Sequence, residues 1–190
     1  MTTSTMSPTK NFIEIGSCDF GTLNHLADYG WGGIIVEPVK EYLDNIPRKP
    51  GVWYVNSAID TQQGLRTMNV FKKEYTNVDR DFAGMSSFSE YTKEVNLDRV
   101  EPREVSTITY AELIGTYPIG SVDFLKIDTE GHDWVILQTV EFTGARRPKI
   151  IKLEYKHFRS IEDRVKRFLQ EHDYLVYVEK DDMYAIDQRL

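Results

Sequence analysis

Acidic and imidazole side chains gather after two short apolar runs of this sequence. Asp128, Glu130 and His132 follow a run that begins at Val122, and Glu154 and His157 follow one that begins at Lys149. Groups of these types can take a proton from a hydroxyl, orient the group that does so, or accept hydrogen bonds from hydroxyls. Asp128 is also placed to fix the amino-acid end of a bound small molecule. The plainer account of His132 and His157 is a histidine hydrogen-bonded at a strand edge, shaping a pocket. Two histidines and three carboxylates are a metal-capable set, but their spacing matches no specific metal motif, and no metal site is assigned.

A second group of residues speaks to a cofactor. Phe12 to Gly21 reads as an apolar strand running into a glycine-containing turn before a helix. A dinucleotide fingerprint needs a second glycine where the backbone meets a pyrophosphate, and Cys18 occupies that place. A phosphate-binding loop needs a lysine after Gly21, where Thr22 and Leu23 follow instead. S-adenosylmethionine needs no phosphate site, only close admission of an adenosine and an amino-acid tail. The turn Gly16, Ser17, Cys18, Gly21 and Thr22 is assigned to it, with Glu14 bracing the turn or facing the cofactor's ammonium group. Glu37, with Pro38 after it, ends the next strand and can accept hydrogen bonds from ribose hydroxyls. Ser57 and Ala58 are assigned to the adenine side, where Asp60 or nearby backbone would meet the amino group. The alternative for Glu37-Pro38 is that it merely starts the next helix.

These groups need elements to carry them, and strand followed by helix is what recurs. Strands are expected at Asn11–Ile15, Gly33–Val36, Val52–Ile59, Val122–Asp128 and Lys149–Tyr155. Helices are expected over Thr22–Tyr29, over a stretch with Val39, Tyr42, Leu43 and Ile46 on one face, and over Trp134–Val140. Ser160 with Asp163 resembles a capping box opening a helix with Ile161, Val165, Phe168 and Leu169 on its apolar face. Tyr174–Glu179 and Met183–Asp187 read as a terminal hairpin. Residues 61–120 are less regular, with Met68–Tyr75 a candidate strand, Ser86–Val95 a helix or loop, and a short helix ending near Tyr117. The pattern predicts a Rossmann-like α/β domain: a mostly parallel sheet with helices on both faces and an antiparallel terminal hairpin. Ligands of such sheets bind beyond the carboxyl ends of the strands, where both groups of residues fall.

The 190 residues are 41% hydrophobic and 28% charged, which suits one globular domain over residues 11–190 behind a flexible N-terminus of residues 1–10. No apolar run is long enough to span a bilayer, and no signal-peptide core is visible. The lone Cys18 excludes an internal disulfide framework and fits a reducing compartment, so a cytoplasmic location is expected. A net charge of −7 disfavours nucleic acid. The densest basic stretch (Arg146, Arg147, Lys149, Lys152, Lys156) straddles a strand and reads as solvated. Oligomeric state is not legible.

Val122-Asp123-Phe124-Leu125-Lys126-Ile127-Asp128-Thr129-Glu130-Gly131-His132-Asp133, followed by Val135-Ile136-Leu137, resembles the signature of the FkbM-type methyltransferase family. Glu14-Ile15-Gly16 with Gly21 resembles its first motif, Glu37-Pro38 its acid after the second strand, and Ile150 to Glu154 its later strand ending in Leu-Glu. Ser86-Ser87-Phe88 resembles a short element that precedes the signature, and Val105 to Thr109 the strand and turn leading to its next helix. The resemblance implies a seven-stranded methyltransferase sheet, S-adenosylmethionine as donor and an oxygen acceptor. His132 departs from the small or apolar residue common at that position, which points to a specialised acceptor pocket.

The leading reading is therefore methyl transfer to a hydroxyl of a sugar, glycan, lipid or natural product. His132 or His157 would be the base, with Glu130 and Glu154 orienting it or binding acceptor hydroxyls. Residues 61–120 are the candidate substrate lid. Two other readings stay open: a nucleotide- or RNA-modifying methyltransferase, and a non-catalytic domain that binds the cofactor or only keeps the fold.

Overall fold

The computed structural model describes residues 8, 10–79, 81–90, 98–154 and 156–190, with the backbone alone at 81, 157 and 158. Its strands in chain order are β1 (Asn11–Ile15), β2 (Gly32–Val36), β3 (Val52–Val55), β4 (Ala58–Ile59), β5 (Gly64–Phe71), β6 (Val100–Ile108), β7 (Val122–Ile127), β8 (Pro148–Glu154), β9 (Tyr174–Glu179) and β10 (Asp182–Asp187). Seven of them form one sheet in the order β3-β2-β1-β7-β8-β10-β9. From β3 to β8 every pairing is parallel, and β10 enters antiparallel to both of its neighbours. Because β1 lies between β2 and β7, the chain leaves it in one direction and returns on its other side. That reversal opens a crevice at the carboxyl ends of β1, β2 and β7.

The central strands are apolar on both faces. On one face Ile13, Ile15, Ile34, Val36, Leu125, Ile127, Ile151 and Leu153 form the main core. Helices α4 (Tyr110–Thr116), α5 (Asp133–Leu137) and α6 (Glu162–Glu171) supply Tyr110, Leu113, Ile136, Leu137, Val165 and Leu169 to that core. On the other face Phe12 and Ile35 meet Leu23, Leu43 and Ile46 around α1 (Lys40–Asn45). Burying each such side chain stabilises the fold by about 1.5–3 kcal/mol before chain entropy is set against it.

Several expectations are corrected. The helix expected over Thr22–Tyr29 is a 3-10 helix over Asn24–Tyr29, stopped by Gly30 in the left-handed region at φ 81°. Thr22 and Leu23 stay out of it because Glu14 holds their amides. The strand expected over Val52–Ile59 is two strands. The Asn56 amide bonds the carbonyls of Glu37 and Pro38, which turns the chain, and β4 then pairs with β6 instead of β2. Ser160 caps nothing: α6 starts after Ile161 with no side-chain cap, preceded by a 3-10 helix over Lys156–Ile161.

Residues 61–120 are more regular than expected. β5 and β6 pair over their whole length as an antiparallel ribbon, which with β4 forms a second sheet. Met68, Val70 and Val105 of the ribbon pack on Val39 and Ala58. The strand placed at Met68–Tyr75 ends at Phe71, and α2 (Lys73–Thr76) and α3 (Asp81–Gly84) follow. α4 begins with a full capping box between Thr109 and Glu112.

Two arginines hold the end of the hairpin through Asp187, the buried Arg147 and the exposed Arg189. Arg147 is 5% exposed and donates to Asp187 through Nε at 2.8 Å and NH2 at 3.0 Å. It also donates to the carbonyls of Phe142 and His172. Hydrogen bonds from Arg147 hold the Asp187 carboxyl well below the usual carboxylate range. The group therefore contributes stability above that range, lost as pH falls through its folded pKa. Arg147→Ala leaves the buried Asp187 carboxylate with the exposed Arg189 as its remaining cation, at 3.1 Å, and should lower unfolding free energy by about 2–4 kcal/mol in urea titrations. A loss under about 1 kcal/mol would mean the clamp is dispensable.

Candidate functional site

The site begins where β1 meets β7. Gly16 has φ +78°, and a Cβ there would stand 1.9 Å from the Asp128 carbonyl oxygen. Only glycine lets the two strand ends come that close. Cys18, also at positive φ (48°), donates its amide to Glu37 Oε2 at 2.8 Å. Gly21 follows at φ +50° beside Ile46. Burial pushes the Cys18 thiol well above its ordinary pKa, which disfavours the thiolate that a nucleophile needs.

Two carboxylates set the turn's shape. Glu14 is fully buried, and its oxygens accept from the amides of Thr22 and Leu23 at 2.9 and 2.8 Å. Of the two roles open for Glu14, bracing the turn is the one its bonds describe. Glu37 ends β2 and accepts from the amides of Cys18 and Val39, each at 2.8 Å. Each of its oxygens has capacity for a second donor. Burial pushes its pKa up to about 7, against the pull of those two amides.

One cleft gathers most of the expected residues. Gly16, Cys18, Glu37, Pro38, Ser57, Ala58, Asp128 and His132 all line it. Glu14 of β1, Ser17, Gly21 and Thr22 of the turn, and Glu130 and Glu154 do not line it. Glu130 and Glu154 lie beside Asp128, with one oxygen of each within 4.8 Å of the others. That spacing suits a bridging cation, but ammonium groups already occupy the cluster: Lys126 lies 3.2 Å from Asp128, and Lys156 lies 2.5 Å from Glu154. Burial, then the charges of Asp128 and Glu130, raise the Glu154 pKa to about 7 against Lys156. The side chain of His157 lies outside the described residues.

The signature loop is held from within. Glu130 and Gly131 take φ 53° and 104°, and the Asp133 carboxylate accepts from the Thr129 hydroxyl at 2.9 Å and the Thr129 and Gly131 amides at 3.3 Å. Burial, with the charge of Asp128, raises Asp133 to about 6.

His132 is buried at the cleft with Nε2 3.2 Å from Asp60 Oδ1. Asp60 also accepts from Arg66 at 2.6 Å and from the Thr61 amide at 2.7 Å. Its carboxylate thus faces Arg66 and His132. Burial lowers the His132 pKa, with Asp60 opposing, which favours the neutral ring. Burial would raise Asp60, but the Arg66 bond and the Thr61 amide leave it lowered. Phe88 closes the group edge-on to His132, with the Arg66 guanidinium 4.1 Å from its ring centre.

Tyr42, Met68, Ser86, Ser87 and Phe88 also line the cleft, and local sequence pattern does not assign them to it. Ser87 is placed by a two-bond bridge to Asn69 of β5, and Ser86 Oγ accepts from the Phe71 amide. The one signal that bears on them is the family-like Ser-Ser-Phe element; pairing with β5 has no local marker.

Glu37, Asp133 and Glu154 all bind a proton more readily folded than unfolded. Their contribution to stability is therefore present at low pH and lost as pH rises from the ordinary carboxylate range toward about 7. Glu37→Gln should shrink the stability difference between about pH 5 and about pH 8 by on the order of 2 kcal/mol, read by denaturant unfolding at both values. An unchanged difference would mean the buried carboxyl does not titrate there.

The sequence model of one family, the methyltransferase FkbM domain, matches residues 14–176. No curated protein matches the chain. Among solved structures, a chain from the crystal structure of a fibrillarin/Nop5p complex aligns over 93% of this chain and 70% of its own length, at 12% identity and a TM-score of 0.44.

Proposed function

The chain belongs to the FkbM methyltransferase domain family, and from that premise we propose that it transfers the methyl group of S-adenosylmethionine to a hydroxyl oxygen of a sugar, glycan, lipid or natural product. The observation that carries this reading is convergence: the Gly16 turn, Glu37 and Asp128 end three adjacent parallel strands and line one cleft. Its chemistry fits the donor. Glu37 would take the ribose hydroxyls on its remaining lone pairs, and Pro38, Ser57 and Ala58 would flank the adenine. Asp128 would meet the amino-acid end, and Phe88 with Ser86 and Ser87 would cover the cleft from beside β5.

Bound there, S-adenosylmethionine would supply an electrophilic methyl carbon on a sulfonium, open to in-line attack by an acceptor oxygen, with the thioether of S-adenosylhomocysteine as the leaving group. The protein's part is alignment and removal of the acceptor's proton. Glu154 suits proton removal, because its pKa of about 7 matches a general base and Glu130 and Asp128 stand beside it. His132 is less suited, since its Nε2 faces Asp60. In this reading it shapes the pocket, and His157 remains a candidate base on sequence grounds.

Nucleic acid as acceptor finds no support in the charge distribution. Arg146, Arg147, Lys149, Lys152 and Lys156 each pair with an acidic residue of the chain. Among the described residues no helix is long and apolar enough to cross a membrane.

Calorimetric titration should give micromolar binding of S-adenosylmethionine and S-adenosylhomocysteine and none of NAD. Binding of NAD alone, or of none of the three, would overturn the reading. Glu37→Ala should weaken the sulfur ligands by about 1.5–3 kcal/mol, the range for a charged hydrogen bond. Once a labelled-methyl screen finds an acceptor, Glu154→Gln should cut turnover by about a hundredfold or more with ligand affinity little changed. Full turnover in that variant would remove Glu154 as the base.

A further inference from the structure

Lys126 is a buried cation of the signature strand whose chemistry the proposed reaction does not use. It lies directly opposite Glu14 in the β1–β7 register, so the two side chains share a face of the sheet. Its ammonium carries three donors, and three oxygens from three segments meet it: Glu14 Oε1 at 3.1 Å, Thr22 Oγ1 at 3.2 Å and Asp128 Oδ2 at 3.2 Å. Lys126 is 6% exposed, and its two carboxylate partners outweigh the burial that disfavours its charge.

Holding the sheet together does not require this arrangement. β1 and β7 already pair from Phe12–Phe124 to Ile15–Ile127, and the Asp128 amide donates to the Ile15 carbonyl at 3.0 Å. A buried ion network is no more stabilising than apolar packing of the same volume. What it adds is a link between two parts of the site that backbone pairing leaves free to shift: the Glu14-braced turn and the Asp128 side chain.

We propose that Lys126 is a positioning residue, whose ammonium ties the Asp128 carboxylate to Glu14 and Thr22, so that Asp128 and the Gly16–Cys18 turn, which line the cleft, meet the ligand as one rigid unit. The proposal rests on the reading of the cleft as a donor site. On it, loss of Glu14's charge loosens Asp128 as well, although the two carboxylates belong to different strands.

The test is a mutant cycle read by calorimetric affinity for S-adenosylhomocysteine, using Glu14→Gln, Asp128→Asn and their double variant, in the native and in the Lys126→Met background. With Lys126 present, the double variant should lose less affinity than the product of the two single losses, by about fivefold or more. With Lys126→Met the two losses should multiply, and Lys126→Met alone should weaken binding about tenfold. A residue that only fills space would lower affinity without abolishing that coupling. Losses that multiply in the native background overturn the proposal, and that arm decides the matter if Lys126→Met does not fold. Coupling that persists undiminished without the lysine overturns it equally. Absence of binding by the native protein would instead remove the donor-site reading, and this inference with it.

Discussion

The rest of the structure depends on how closely the end of β1 approaches the end of β7. Position 16 has no room for a side chain because the Asp128 carbonyl fills the place where a Cβ would be. From that contact the turn must leave β1 in a left-handed conformation, which sends Cys18 across to Glu37 and returns Thr22 and Leu23 to Glu14. The strand order makes the approach possible, since β1 separates β2 from β7 and all three point their carboxyl ends the same way. One steric constraint thus brings a turn, an acid after β2 and an acid after β7 to a common cleft.

Charge in the cleft is distributed unevenly, and the difference follows from partners. Glu14 is fully buried with two amides and an ammonium around it. Glu37 is almost as buried with amides alone, and its proton affinity rises toward neutrality. Glu154 has a lysine but also two neighbouring carboxylates, and it rises as well. Burial is the largest influence on both Glu37 and Glu154. Two acids on different strands, one after β2 and one at the end of β8, are thereby set to take a proton near pH 7.

Much of this was legible from local pattern. Continuous apolar runs at Asn11–Ile15 and from Val122 announced parallel strands, and the residues just past them announced the ligand side of the sheet. Glu37 was readable because an acid ending the second strand has a simple use. Less legible was anything that depends on partners distant in sequence. Asn56 breaks the third strand only because carbonyls of the second strand's exit lie beside it. Ser87 reaches the cleft through Asn69, and Asp60 turns to Arg66 and His132, none of which shares a periodic signal with its partner. Lys126 stands among apolar neighbours in the sequence, and it is the register that puts Glu14 across from it.

The second sheet has a consequence for how such a protein diversifies. The glycine turn, Glu37 and Asp128 all belong to the seven-stranded sheet, whereas Met68, Ser87 and Phe88 reach the cleft from or beside the β5–β6 ribbon. Inheritance can therefore act on the two walls separately. Lengthening the ribbon or the segment between its strands reshapes one side of the opening without disturbing the backbone that the other side requires. A lineage that keeps position 16 as glycine while letting the ribbon drift would explore new partners for an old chemistry.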